Sequence, residues 1–194
     1  NATPVIAENR LFVMDADARV SAYNATSGQL LWRKTISRPG EGSSPAFGGG
    51  VSILGSRLFA STGFGLVVAF DTASGDELWR TALPTPLRAA PAVDEGRVFV
   101  TSQDGQLVAL DADNGNQLWE ANSTVEPAAV MGSGGPAVGF GTVVAGFPSG
   151  ELFALRVENG RTLWQDQLSR SGRTTALGAL SAVAASPVID RDRV

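Results

Sequence analysis

Apolar residues come in short bursts along this chain, Arg97-Val-Phe-Val100 and Leu107-Val-Ala-Leu110 among them, and clusters of Gly, Asp, Asn and Ser separate the bursts. Runs of this length, rich in Val, Leu and Phe and bounded by turn formers, predict short β-strands. Apolar spacing of the helical kind is confined to a weak trace around Ala176 to Ala185. The expected fold class is all-β.

The bursts repeat. Trp32, Trp79, Trp119 and Trp164 are separated by 47, 40 and 45 residues, the period of propeller blades. The segments that end on them, Tyr23 to Trp32, Phe70 to Trp79, Leu110 to Trp119 and Leu155 to Trp164, align without a gap. One residue before each Trp stands Leu31, Leu78, Leu118 or Leu163; four before it, Gly28, Gly75, Gly115 or Gly160; ten before it, Ala22, Ala69, Ala109 or Ala154. Cores of 29 residues follow, at 4–32, 51–79, 91–119 and 136–164, and residues 187–194 begin a fifth copy. Each core divides into four strands, as in Pro91-Ala-Val93, Arg97 to Val100, Gln106 to Leu110 and Gln117 to Trp119. Asp104-Gly105 predicts a two-residue hairpin, and Asp111 to Gly115 a longer turn in which Gly takes positive φ. The expected architecture is a β-propeller of four-stranded antiparallel blades, four here plus the start of a fifth, cut from a ring of roughly eight. Small Ala and Gly at fixed places let the next blade come close, and the Trp side chains fill the space between blades. Four Trp at equivalent positions are packing residues rather than a ligand platform.

Length varies only between the Trp of one copy and the start of the next, with 18 residues at 33–50, 11 at 80–90, 16 at 120–135 and 22 at 165–186. Alternating connections put these loops on one rim, together with the turns between second and third strands, so recognition belongs there. Val130 and Met131 in one loop and Leu177, Leu180 and Val183 in another are apolar residues that a solvated loop does not need. Either a partner covers them, or they fold back onto a blade or into the central channel. The four-blade arc also leaves strand edges open, and open edges seek partners. Further chain, or a second copy pairing edge to edge, would satisfy them.

Composition narrows the chemistry. The chain has no Cys and no His, which excludes thiol nucleophiles, disulfides, Cys/His zinc sites and Ser-His-Asp triads. A net charge of −4, with 15 basic and 19 acidic residues scattered throughout, leaves no basic stripe for nucleic acid. Residues 174–189 are too few and too polar to span a bilayer. Asp15 with Asp17 and Asp111 with Asp113 suggest calcium, but neither stretch completes a twelve-residue loop with a terminal Glu, so the reading is turn capping. The Gly-rich stretch from Pro39 to Gly50 lacks the Gly-Lys-Ser/Thr of a phosphate loop and reads as a connection. No acid and base couple, cofactor site or metal site is identified, and the chain is expected not to be an enzyme.

The unit Ala-x-Asp-x-x-x-Gly-x-x-Leu-Trp, seen at Ala69 to Trp79 and Ala109 to Trp119, resembles the repeat of pyrroloquinoline-quinone-type (PQQ-like) propellers. Gly132 to Val138, Gly150 to Leu155 and Gly160 to Ser169, with the long loop after Trp164, are similar to the outer-membrane-protein assembly factor family, BamB. That resemblance implies an eight-bladed, non-enzymatic lipoprotein on the periplasmic face of the bacterial outer membrane. It implies binding to the periplasmic domains of BamA, contact with unfolded outer-membrane proteins, and membrane attachment only through a lipidated Cys upstream of Asn1. The family's contacts include a Leu-x-Leu-Arg-Gly run and an Asp-x-Asp pair. Here the first aligns with Ala128 to Gly132, matching only at Gly132, and the second with Ala182 and Ala184. An interface through Val130, Met131, Gly132, Leu177, Leu180 and Val183 would therefore be more apolar than the family's. The alternatives are a fragment of a PQQ-dependent dehydrogenase, whose Cys pair, calcium site and catalytic Asp are not identifiable here, and a ligand-sensing propeller.

Overall fold

The computed structural model describes residues 3–37, 48–123, 134–147, 149–168 and 186–190. None of these is helical. The first sheet contains β1 (Val5–Ala7), β2 (Arg10–Met14), β3 (Arg19–Asn24) and β4 (Leu30–Thr35). The second contains β5 (Gly49–Leu54), β6 (Arg57–Thr62), β7 (Leu66–Asp71) and β8 (Glu77–Ala82). The third contains β9 (Ala92–Asp94), β10 (Arg97–Thr101), β11 (Gln106–Asp111) and β12 (Gln117–Asn122). The fourth contains β13 (Ala137–Gly139), β14 (Thr142–Gly146), β15 (Glu151–Arg156) and β16 (Thr162–Gln167). Each is a meander in chain order, antiparallel at every step, the arrangement of a propeller blade. The inner strands β1, β5, β9 and β13 adjoin in that order, so the blades form an arc.

The core lies between blades. Along β7, Val68 and Phe70 pack toward the first blade with Leu58 and Ala60, while Val67 and Ala69 pack toward the third with Phe59. Successive strand residues point to opposite faces, and here both faces are buried. This is why Leu66 to Phe70 is an unbroken apolar run. The first blade alternates instead: Val20 and Ala22 face the second blade with Phe12, and their neighbours Ser21 and Tyr23 bind the Arg33 guanidinium.

Three details differ from the sequence reading. The outer strands run three residues past each Trp, to Thr35, Ala82, Asn122 and Gln167. Gly49 and Gly50 belong to β5 and not to the preceding connection. A Cβ on Gly49 would lie 2.0 Å from the Ser61 carbonyl oxygen, and one on Gly50 would lie 2.6 Å from the Ala90 Cβ, so closeness to neighbouring backbone, not loop mobility, requires these glycines. The Asp104-Gly105 hairpin has three loop residues. Ser102 N–H donates to the Gln106 carbonyl at 2.9 Å, and Gly105 takes φ +82° beyond a Gly105 N–H to Ser102 carbonyl bond. This is a type I turn closed by a left-handed residue, whose twist suits the strands as well as a two-residue turn does.

Candidate binding surface

Each outer strand ends against the turn between the second and third strands of its own blade. Ile36 N–H donates to the Ala18 carbonyl at 2.9 Å, Leu83 to Gly65 at 2.8 Å, Ser123 to Gly105 at 2.8 Å and Leu168 to Gly150 at 2.9 Å. The connections between blades therefore leave from the rim that carries these turns. The connection after β8 is described throughout. Gln103 N–H donates to the Pro86 carbonyl at 2.9 Å, Thr85 Oγ1 donates to Asp104 Oδ2 at 2.9 Å, and Arg88 Nη2 donates to Gln103 Oε1 at 2.7 Å. It is stitched to the third blade's turn and presents polar groups. At the fourth blade, buried Glu151 accepts from Ser123 and Ser149, the latter at 2.9 Å. On this rim Asp104 is exposed, whereas Glu151 is buried against its two serines.

The proposed contact residues Val130, Met131, Gly132, Leu177, Leu180 and Val183 lie outside the described residues. The suspected calcium carboxylates are engaged in turns. Asp15 Oδ1 accepts from the Asp17 and Arg19 N–H groups at 2.9 and 3.0 Å, and Asp111 Oδ1 accepts from Asp113 and Asn114 at 2.8 and 3.1 Å. Asp71 does the same. The Ser74 and Ala73 N–H groups hold its carboxyl below the ordinary Asp value, because such bonds favour the ionised form. Asn24 fills this place in the first blade, with Oδ1 bound to the Thr26 and Ser27 N–H groups at 3.0 and 2.8 Å. A lowered folded-state pKa stabilises above the unfolded value and is lost as pH falls through the folded one. Asp71→Asn is therefore expected to keep the turn while flattening the fall in stability below about pH 4, as measured by urea unfolding at several pH values. An unchanged acid limb would contradict this.

The repeat residues meet across blades. Trp32 Nε1–H donates to the Thr72 carbonyl at 3.1 Å, Trp79 to Ala112 at 3.0 Å and Trp119 to Val157 at 3.0 Å. Each indole lies on a glycine of the following blade, where a Cβ would sit 2.6 Å from the Trp32 ring at Gly75, 2.5 Å from Trp79 at Gly115 and 2.6 Å from Trp119 at Gly160. Ala22, Ala69, Ala109 and Ala154 are fully buried opposite their own blade's Trp. The register skips Leu31, Leu78, Leu118 and Leu163, each the extra residue of a β-bulge and each about half exposed. Sequence reasoning missed Phe140, 75% exposed and left-handed at φ +53° on the opposite rim. The signal was available: Glu8, Gly55 and Glu95 occupy its place in the other copies.

A family model described as outer membrane protein assembly factor BamB matches residues 1–51 and 16–194, spanning the chain. No curated protein matches by sequence. The crystal structure of BamB from Moraxella catarrhalis superposes with a TM-score of 0.82 at 20% identity, over 97% of this chain and 55% of that one. A quinohemoprotein alcohol dehydrogenase from Pseudomonas putida HK5 superposes with a TM-score of 0.70 at 18% identity, over 87% of this chain and 34% of that one. The computationally designed Ika8 protein superposes with a TM-score of 0.72 at 14% identity, over 97% and 52%. At these identities the likenesses show the fold alone, and the chain spans about half or less of each of these structures.

Proposed function

The chain belongs to the outer membrane protein assembly factor BamB family, and from that premise we propose that it is a non-catalytic scaffold propeller of outer-membrane β-barrel assembly. The family match along the whole chain carries this reading. The partner is the periplasmic part of a BamA-like protein, held by the rim from which the blade connections leave. The site of action is the periplasmic face of the outer membrane, and unfolded outer-membrane proteins are secondary clients. Val130, Met131, Gly132, Leu177, Leu180 and Val183 are the contact residues proposed for that partner, chosen for their apolar or small side chains.

Binding of immobilised chain to purified BamA periplasmic domains, measured by interferometry, is expected to saturate, and Val130→Asp with Leu177→Asp to weaken it on the order of tenfold or more. The dehydrogenase neighbours favour a second reading, since a quinoprotein propeller shares this fold. Saturable binding of pyrroloquinoline quinone with calcium, and none of BamA, would replace the scaffold reading with that one.

A further inference from the structure

Equivalent positions build each junction between consecutive blades, yet the rim end of the third junction differs in chemistry from that of the first. Where the first blade meets the second, Ile36, Phe64 and Leu66 pack into the apolar core. The same three places between the third and fourth blades hold Ser123, Ser149 and Glu151. Glu151 is 4% exposed, its Oε2 accepts from both serine hydroxyls, and those hydroxyl oxygens are 3.0 Å apart. The second junction is intermediate, with Leu83, Asp104 and Gln106. Cohesion of the blades does not call for the polar set, because burying a carboxylate costs free energy that an apolar trio in the same place avoids.

Beside Glu151 there is an opening of about 240 Å³, lined among the described residues by Glu151, Phe153, Gln165, Asp166 and Gln167. It lies within the arc, on the side of the fourth blade that meets the third. Phe153 packs there against the third blade, and Gln165 and Gln167, the strand partners of Phe153 and Glu151, point to the same side by the alternation of the strand. In the first junction the corresponding place is filled. Arg80 stands where the fourth blade has Gln165. Its Nη1 crosses to the Ser37 carbonyl of the first blade at 2.7 Å, while Nε and Nη2 donate to Glu77 at 2.9 and 2.7 Å. The third junction therefore combines a shorter, neutral side chain with a buried carboxylate, where the first combines a guanidinium with Leu66.

We propose that this opening is a binding site for a guanidinium group, the arginine side chain of a protein partner docked on the rim. Glu151 supplies the countercharge, the Gln165 and Gln167 carboxamides supply further acceptors, and Phe153 supplies an apolar wall for the stem. Asp166 adds a second carboxylate to the lining. Arginine suits the site better than lysine, because a planar fork of five donors can satisfy carboxylate and carboxamide oxygens together. The first junction already accommodates a guanidinium in the equivalent place. The inference rests on the reading of this rim as a partner surface only for the source of the arginine; the site itself follows from the blades.

Titration of the 194-residue chain with N-acetyl-arginine amide, followed in nitrogen–proton correlation spectra, tests it. Saturable shifts are expected at the Ser123 backbone amide and the Gln167 side-chain amide, with an affinity on the order of millimolar. N-acetyl-citrulline amide, similar in shape and uncharged, is expected to shift neither. Glu151→Gln should weaken binding on the order of tenfold or more. Gln165→Arg should abolish it by filling the opening from within, as Arg80 does in the first junction. Circular dichroism is expected to match the parent for both variants. A parent without saturable shifts would overturn the proposal, as would equal shifts with the citrulline amide, or undiminished binding in either variant. No BamA domain takes part, so the outcome is independent of whether the scaffold reading holds.

Discussion

Trp79→Ala is expected to lower the unfolding free energy by about 3–5 kcal/mol, the range for truncating a large buried aromatic side chain. The indole is buried at the centre of the second junction, among Phe59, Leu87, Val98 and Leu110. Its ring stands 5.9 Å from that of Phe59, and it spans the gap to the Ala112 carbonyl and the surface of Gly115. Truncation opens a cavity between two rigid sheets, and collapse there would have to move a whole blade. The neighbouring residue supplies the control. Leu78, 47% exposed on the other side of the bulge, should cost less than about 1 kcal/mol when changed to Ala. Trp79→Phe separates the contributions, keeping most of the apolar area and losing the indole hydrogen bond, for about 1–2 kcal/mol. Equilibrium unfolding in urea measures all three. Equal losses at positions 78 and 79 would show that the junction does not hold the blades together.

The blades were legible because their residues recur: a Trp, a Gly and an Ala at fixed spacing can be counted along the chain. What counting cannot supply is the pairing. Gly28 and Trp32 are four residues apart in one copy, yet Trp32 lies on Gly75, 43 residues further along from it, because blades stack in order and each face meets its neighbour's. A periodic sequence looks the same whichever copy a residue is assigned to touch. It therefore hides the fact that Trp32, Trp79 and Trp119 each meet the glycine of the following copy and not that of their own. Ala18 shows a second limit. It takes φ +54° where Gly65, Gly105 and Gly150 stand in the other copies, so the turn geometry survives without its usual residue. Gly49 and Gly50 show a third, since in sequence they look like loop, and only the nearness of Ser61 and Ala90 places them in a strand. The candidate interface was read from loops that do not repeat, and periodicity carries no information there.

Gly75→Ala is expected to cost about 2–4 kcal/mol, more than its loss of backbone freedom explains. The backbone part is set by Gly96→Ala, since Gly96 has nearly the same φ, +72° against +73°, and nothing within 4 Å of its Cβ position. Placing an L residue in that conformation costs about 1 kcal/mol. At Gly75 the new methyl would lie 2.6 Å from Trp32 Cδ2 and 2.9 Å from Cε3 and Cγ. The ring cannot swing away freely, because its N–H is tied to Thr72 three residues before Gly75 and it packs against the rings of Phe12 and Phe70. Overpacking of this kind adds about 1–3 kcal/mol. If the collision is the cause, a smaller ring should relieve it. Gly75→Ala in a Trp32→Phe background should then cost close to what Gly96→Ala costs, a coupling of about 1–3 kcal/mol in a double-mutant cycle. Additive losses would locate the cost in the backbone alone and remove the indole-on-glycine contact as the reason this position is glycine.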